Sequence, residues 1–309
     1  MEPLTSPQIS GTWGTTLLPI NKDESIDFGC LSEDLDYLLT SGVDGIYTNG
    51  TAGEFYAQTE GEFDRISSVV AEKCESAGLP FQIGAGHTSA QVSIDRVRRA
   101  AELKPGAIQV ILPDWFPVNN EEAKAFLERV AAVASPIGLV LYNPPHAKRV
   151  LQPDDYAQLS AAVPALVGVK VAAEPQWYAE LRRRTPGISM FVTGHQLATG
   201  MRFGASGAYS NVACLHPIGA KRWNQLMNTD YDAALALERK IQSFLDEWIL
   251  PFRAQGGYSN QALDKLLAAI GGWSAAGTRL RWPYRWIEGS EALRLREIAR
   301  EQLPDFVSS

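Results

Sequence analysis

A lysine inside an apolar segment is the feature of this 309-residue sequence that most strongly indicates chemistry. Lys170 lies in Leu-Val-Gly-Val-Lys-Val-Ala, residues 166–172, and none of the other eight lysines is embedded in such a strand-like run. Strand alternation places it on one face with Gly168 and Ala172, whose small side chains leave room around it. Burial disfavours an ammonium ion, and a neutral amine in a dry pocket attacks carbonyl carbons to form a Schiff base. The alternative is a structural lysine in an internal ion pair, although nothing acidic lies closer in the sequence than Glu174.

A glycine-containing loop is the second candidate. Gly50-Thr51-Ala52-Gly53-Glu54 directly follows a strand-like segment. Glycines and small residues let backbone N–H groups approach an anion such as the carboxylate of a ligand. The same residues also fit a plain tight turn into a helix, with Glu54 in the first helical turn.

The third candidate is the tyrosine of Tyr142-Asn143-Pro144-Pro145, at the end of another strand-like segment. A phenol at the end of a strand can move protons to and from a substrate. An aromatic side chain that only fills space is the alternative. The two prolines restrict the path of the chain as it leaves the strand.

The elements that must position these residues alternate along the chain. Eight apolar or β-branched segments are predicted strands: Thr12–Leu18, Gly45–Thr48, Phe81–Ala85, Ala107–Leu112, Gly138–Asn143, Leu166–Ala172, Met190–Thr193 and Ala205–Ser210. Segments with helical periodicity lie between most of them: Ser32–Ser41, Gln58–Ser76, Ala90–Leu103, Asn120–Ala134, Pro153–Val163 and Trp177–Arg184. Strands that alternate with helices pair in parallel, and eight such units predict an α/β protein with a closed (β/α)8 TIM barrel. An open doubly wound sheet is the second choice, but no GxGxxG follows the first strand.

Beyond residue 211 only helical segments are predicted. They are Ile218–Met227, Tyr231–Ile249, Asn260–Ile270 and Glu288–Gln302. We therefore expect a barrel with the active site in residues 1–217 and a helical C-terminal extension in residues 218–309. In such barrels the active site lies at the C-terminal ends of the strands, where Lys170, Tyr142 and the glycine loop all belong.

The order of the three motifs resembles a known family. The sequences GTAGE, YNPP and GVKVA lie on the second, fifth and sixth predicted strands, as in the dihydrodipicolinate synthase / N-acetylneuraminate lyase family of class I Schiff-base aldolases and lyases. The resemblance implies that Lys170 condenses with the ketone of a 2-keto acid such as pyruvate. It implies that Tyr142 shuttles protons and that Thr51, with the loop, holds the keto-acid carboxylate and supports the tyrosine. It also implies that no metal or cofactor is needed, since the iminium is itself the electron sink.

Departures from the family pattern bear on the substrate. Ala52 stands where a second hydroxyl residue is usual, and Ala147 where the synthase has an arginine for its second substrate. The acidic residue usual after the lysine is missing. We therefore expect aldol cleavage, aldol condensation or dehydration of a 2-keto acid of the 2-keto-3-deoxy sugar acid type. The alternatives are dihydrodipicolinate synthase proper and a non-catalytic keto-acid-binding homologue.

Further residues at strand ends are candidates for binding the substrate, either from their position or from the resemblance. Together with the loop they are Gly50, Ala52, Gly53, Thr16, His87, Trp115, Gly194, His195, Tyr209 and Ser210. The histidines could bond a substrate hydroxyl or could be ordinary loop residues, and Trp115 could line a pocket or only pack. Most of the strand-end groups are neutral donors and acceptors, so we expect a hydroxylated substrate without a second strong anion.

Composition restricts the partners and the location. The net charge is −7 and the 28 basic residues are dispersed, which argues against nucleic acid. No apolar run has the roughly 18 residues that a membrane helix needs. Three scattered cysteines indicate neither a disulfide framework nor a metal site, so we expect a cytoplasmic protein. The family resemblance implies a homo-oligomer, namely a tetramer, and Trp273, Trp282 and Trp286 give it apolar surface to bury; packing of these tryptophans on their own barrel is the alternative.

Overall fold

Eight parallel strands close into a barrel in the computed structural model, which describes residues 1–209 and 211–308. The strands are β1 (Gly11–Thr15), β2 (Gly45–Thr48), β3 (Phe81–Gly84), β4 (Ala107–Val110), β5 (Gly138–Tyr142), β6 (Leu166–Lys170), β7 (Ser189–Thr193) and β8 (Gly207–Tyr209). Each strand pairs with its neighbours in sequence, and β8 pairs with β1 to complete the ring. The predicted TIM barrel is therefore confirmed, and the open sheet is wrong.

Eight helices follow the strands. They are α1 (Phe28–Thr40), α2 (Glu60–Ala77), α3 (Ala90–Glu102), α4 (Asn120–Ala134), α5 (Pro153–Ala162), α6 (Pro175–Arg184), α7 (Leu197–Arg202) and α8 (Asn211–Leu215). Helix α1 begins before the predicted Ser32 because the Asp27 carboxylate caps it, accepting hydrogen bonds from the backbone N–H groups of Gly29 and Cys30. The short α7 and α8 were not predicted, since five or six residues are too few to show a helical period.

Aromatic side chains fill the inside of the barrel below the site. Trp13, Tyr47, Phe191 and Tyr209 pack together, with ring centroids 4.4–6.1 Å apart. The Tyr209 hydroxyl donates a hydrogen bond to Gln82 Oε1 at 2.6 Å, which satisfies a buried phenol. Among the described residues these rings therefore close the barrel interior, and the cavity described below lies towards the C-terminal ends of the strands.

The C-terminal region is helical, as predicted, and packs on the barrel. It comprises α9 (Pro217–Thr229), α10 (Tyr231–Phe244), one turn of π-helix (Leu245–Ile249), α11 (Leu250–Ala254), α12 (Asn260–Gly271) and α13 (Gly289–Gln302). One hydrophobic core includes side chains of both parts, and the division at residue 217 stays a prediction. Among the described residues, no helix has the length and apolar character that crossing a bilayer would require.

Candidate active site

Lys170 ends β6 at the mouth of the barrel, beside three phenols. Its Nζ lies 3.5 Å from Tyr47 Oη, and 4.4 and 5.4 Å from the ring centroids of Tyr142 and Tyr209. Burial lowers the pKa of Lys170 to about 8, against a smaller raising effect of the charge of Asp264. Lys170 therefore loses its proton more readily than an ordinary lysine.

Tyr142 ends the neighbouring strand in register with Lys170. The two residues are Cα partners in the β5–β6 pairing, which brings the phenol and the amine together. Burial raises the pKa of Tyr142 to about 12, while the Thr51 side chain interacts with its hydroxyl and opposes the rise. Tyr142 and Thr51 both line a cavity of about 410 Å³, and the Nζ of Lys170, which is not itself among the lining residues, lies 4.4 Å from the centroid of the Tyr142 ring. The structure thus brings together the three residues predicted to be catalytic.

The glycine loop after β2 needs its first glycine for close packing. A Cβ at Gly50 would lie 2.4 Å from the ring of Tyr47, whereas Ala52 is buried in the core. Within the described residues, the backbone N–H groups of Thr51, Ala52 and Gly53 have no hydrogen-bond acceptor. The loop therefore presents unsatisfied donors next to Tyr142, in an arrangement suited to an anion.

Glu54, the last residue of this loop, contacts two residues of the C-terminal region. Its carboxylate forms an ion pair with Lys265 of α12 at 2.6 Å, and both side chains are fully buried. It also accepts a hydrogen bond from the backbone N–H of Arg281 at 3.1 Å. The alternative placement of Glu54 in the first turn of a helix is wrong, because α2 begins only at Glu60 and Thr59 caps it.

The outer wall of the cavity comes partly from the C-terminal region. Arg253, Ser259, Asn260, Gln261 and Tyr284 line it opposite residues that follow β4 and β5. The sequence carried no local signal for these residues, because none lies at a strand end. They include a cation, Arg253, that was not expected at the substrate site.

Comparison with known proteins agrees with this geometry. A model of the dihydrodipicolinate synthetase family matches residues 8–302. The chain belongs to this family. Its members include lyases, and this member is a lyase as well.

Individual relatives are distant but similar over nearly their whole length. A 4-hydroxy-tetrahydrodipicolinate synthase of Acidobacterium capsulatum is 25% identical over 301 residues, which cover 95% of each chain. The structure of YagE, a prophage protein of the family from E. coli K12 solved with pyruvate, has a TM-score of 0.84 at 19% identity and covers 95% of this chain and 98% of its own. N-acetylneuraminate lyase from Fusobacterium nucleatum has a TM-score of 0.82 at 19% identity, with 97% and 100% covered. At such identities the two structures show the shared fold alone.

The two candidate histidines form hydrogen bonds through their ring nitrogens to nearby loop residues, and neither lines the cavity. His87 Nδ1 accepts a hydrogen bond from the backbone of Ser89 at 3.0 Å, and partial burial beside Arg96 lowers its pKa. His195 Nδ1 accepts a hydrogen bond from the Asn211 amide at 2.9 Å, since Asn211 Oδ1 already accepts from the His195 backbone N–H. Burial lowers the pKa of His195, so both rings favour the neutral form. Their proposed contact with substrate is not supported.

Trp115, the candidate for a pocket wall, does not line the cavity of this chain. Trp115 is 82% exposed and Phe116 84%, and the Lys148 ammonium lies over the Trp115 ring at 4.9 Å. The loop lies open because Pro113 and Asp114, rather than the two aromatic residues, turn towards the cavity.

The remaining candidates lie around the barrel mouth but outside the cavity lining. Thr16 is buried, with its hydroxyl 2.8 Å from that of Thr48, and Gly194 is buried in a single 3-10 turn after β7. Tyr209 belongs to the aromatic rings that close the barrel interior, and its ring borders Lys170. Ser210 lies outside the described residues.

Proposed function

We propose that Lys170 forms a Schiff base with the ketone of a 2-keto acid. The observation that carries this proposal is the partly buried amine at the end of β6, which lies 4.4 Å from the centroid of the Tyr142 ring and whose pKa is lowered to about 8. A lysine made less basic by desolvation is an effective nucleophile near neutral pH. YagE, a structural neighbour, was solved with pyruvate, which agrees with a keto-acid ligand.

The reaction follows from the positions of these groups. The Lys170 amine attacks the C2 carbonyl, and the resulting carbinolamine loses its oxygen as water after Tyr142 supplies a proton. In aldol cleavage the C4 hydroxyl loses its proton, the C3–C4 bond breaks and its electron pair passes into the iminium. In dehydration a C3 proton leaves first, and the enamine then expels the C4 hydroxyl as water. Both routes need only the iminium as an electron sink and a phenol to move protons.

The carboxylate of the keto acid fits the loop after β2. The unsatisfied N–H groups of Thr51, Ala52 and Gly53 offer backbone donors where the family has a second hydroxyl. We infer that the loop binds this carboxylate mainly through its backbone, with the Thr51 hydroxyl directed to Tyr142.

The far end of the substrate is proposed to carry hydroxyl groups, as in 2-keto-3-deoxy sugar acids. Two cations near Ala147 are already engaged: Lys148 donates to the Trp115 carbonyl, and Arg149 pairs with Asp155 at 3.1 Å. The curated relatives named synthase keep the synthase function as the second candidate. Arg149 lines the cavity despite its pairing with Asp155, as does Arg253, so a second anion needs a direct test.

Borohydride trapping tests the proposal. The protein is incubated with pyruvate, reduced with borohydride, digested and analysed by mass spectrometry. We expect the mass increment of a reduced pyruvate adduct on Lys170 and none in Lys170→Ala, whereas Lys240→Ala, which removes an exposed lysine of α10, keeps it. An adduct on the Lys170→Ala protein would refute the assignment. An adduct without turnover across a panel of 2-keto acids would favour the non-catalytic homologue.

A homotetrameric assembly and a cytoplasmic location remain part of the proposal. Trp273 is buried in its own chain and donates to the Cys214 carbonyl, whereas Trp282 is 73% exposed. Trp282 is therefore the tryptophan that we propose as apolar contact surface between subunits. The three cysteines are all free thiols, which agrees with a reducing compartment.

A further inference from the structure

Three tyrosine rings surround the amino group of Lys170. Its Nζ lies over the rings of Tyr142, Tyr47 and Tyr209, at 4.4, 5.1 and 5.4 Å from their centroids. The rings belong to β5, β2 and β8, so they reach the nitrogen from three separate strands of the barrel. All three distances are within the roughly 6 Å at which the face of an aromatic ring attracts a cation. We call these three rings the aromatic cage.

Contacts behind the cage hold Tyr47 and Tyr209 in place. Their centroids are 4.7 Å apart, and the Tyr209 ring packs on that of Phe191 at 4.4 Å. The Tyr209 hydroxyl donates to Gln82 Oε1 at 2.6 Å, and the backbone of Gly50 lies close against the Tyr47 ring. Both tyrosines are buried, with 3% and 4% of their surface exposed. The two rings are therefore fixed towards Lys170 and are not free to turn away from it.

The cage stands where a carboxylate would be expected beside a lysine inside a barrel. Lys170 forms no ion pair with any acid of the described part of the chain, and its hydrogen bond to Tyr47 Oη is long, at 3.5 Å. Asp264 of α12 and Cys214 of α8 influence its pKa through their charges. Burial raises the pKa of Tyr47 and of Tyr209 well above the usual value, which keeps both phenols neutral. What the two rings offer a cation is thus the partial negative charge of their faces.

We propose that Tyr47 and Tyr209 are positioning residues that act through Lys170: the faces of their rings stabilise the positive charge on Nζ, first of the ammonium and then of the iminium. The second role rests on the proposed Schiff-base function. Lys170 has to alternate between a neutral amine and a cation. A neutral ring suits both states, whereas a carboxylate in its place would be left as a buried anion without a partner whenever the amine is uncharged.

The first experiment changes the charge on a ring face and keeps the shape of the ring. Tyr47 is replaced by phenylalanine and by singly, doubly and triply fluorinated phenylalanine, because each fluorine withdraws electrons from the face. Cyanate carbamylates unprotonated amines, so its rate at Lys170 against pH, followed by mass spectrometry with exposed Lys240 as the reference, gives the apparent pKa of Lys170. We expect Tyr47→Phe to resemble the unaltered protein. Along the fluorinated series the pKa should fall stepwise, by about one unit at three fluorines.

The same fluorinated residues at Phe191 provide the matched control. The Phe191 ring packs on Tyr209, but among the described residues it is not one of the rings over Lys170 Nζ. Fluorination there should leave the pKa of Lys170 unchanged. If the triply fluorinated protein at Tyr47 does not fold, the series at Tyr209 replaces it. A pKa that falls fully in Tyr47→Phe would assign the effect to the hydroxyl, and a pKa constant along the series would assign the ring to packing. Either result would overturn the inference, as would an equal fall at Phe191.

The second experiment measures the iminium. Borohydride trapping at increasing pyruvate concentration is carried out above the measured pKa of Lys170 in each variant, so that the free amine is the starting form. The triply fluorinated Tyr47 variant should need about three- to tenfold more pyruvate for half-maximal trapping, because an iminium shares its charge with the substrate carbon and is attracted less than an ammonium. An unchanged requirement would overturn the second role. No trappable pyruvate in the unaltered protein would instead overturn the proposed function, and the carbamylation profiles would still decide the first role.

Discussion

The buried ion pair between Glu54 and Lys265 leads to a prediction about the free energy of unfolding. Both side chains are fully buried, the charged atoms are 2.6 Å apart, and Lys265 also donates to the backbone carbonyl of Arg279. Lys265→Met keeps the approximate volume but leaves the Glu54 carboxylate buried without its cation. Removing one partner of such a pair costs about 3–5 kcal/mol, because the remaining charge keeps its desolvation penalty. We therefore expect the free energy of unfolding to fall by about that amount.

Urea unfolding followed by tryptophan fluorescence provides the assay. The matched control is Lys221→Met, because Lys221 and Asp44 form a pair of equal length, 2.6 Å, that is partly exposed. That pair should contribute only about 0–1 kcal/mol. Adding Glu54→Gln to the Lys265 variant removes the orphaned charge and should recover at least half of the loss. A Lys265→Met protein within about 1 kcal/mol of the unaltered one would refute the reasoning, as would a double variant less stable than the single one.

Further predictions concern the chemistry and the assembly. Tyr142→Phe should slow turnover about 10²- to 10⁴-fold and still form the Lys170 adduct, so near-normal turnover would reduce the tyrosine to a packing role. Since burial lowers the pKa of Lys170 to about 8, the rate of adduct formation should rise with pH up to about 8 and level off above it; a rise that continues to pH 10 would contradict the shift. A coupled assay with aspartate semialdehyde should show little condensation with pyruvate, because Ala147 cannot bind a carboxylate as the synthase arginine does. Substrates with a C4 hydroxyl should have higher kcat/KM than matched analogues without it, and a preference for a dicarboxylic substrate would assign Arg149 or Arg253 to a second anion. Light scattering should give a mass several times the 33.8 kDa of one chain, and a monomer at micromolar concentration would exclude the tetramer.

The sequence was most informative where local patterns decide the structure. The barrel followed from apolar segments that alternate with helical ones. Lys170, Tyr142 and Thr51 became candidates because active-site residues of such barrels lie at strand ends, and the structure brings the three together. The contacts of Gln261 and Lys265 were missed, because helix α12 meets the segment after β2 across more than 200 residues of sequence. Periodicity gives the face of a helix that is buried but does not give its neighbour.

Other differences between the expected and the observed surroundings of candidate residues have equally physical causes. His87 and His195 are at strand ends as predicted, but backbone and amide groups of their own loops occupy the ring nitrogens. Trp115 is exposed because the turn after β4 directs Asp114 towards Lys148, where it accepts a backbone hydrogen bond at 2.9 Å. Loop geometry of this kind depends on a few hydrogen bonds that residue types alone do not specify.

The link between Glu54 and the C-terminal region also has a consequence for biosynthesis. Glu54 accepts a hydrogen bond from the backbone N–H of Arg281, which lies 227 positions later in the sequence. At about 5–20 residues per second, a ribosome needs roughly 11–45 s to add that stretch. During this interval the strands can emerge and pair, but the buried carboxylate has neither its cation nor its backbone donor. We therefore expect a nascent or truncated chain that ends before Lys265 to contain all eight strands and yet to lack a formed active site.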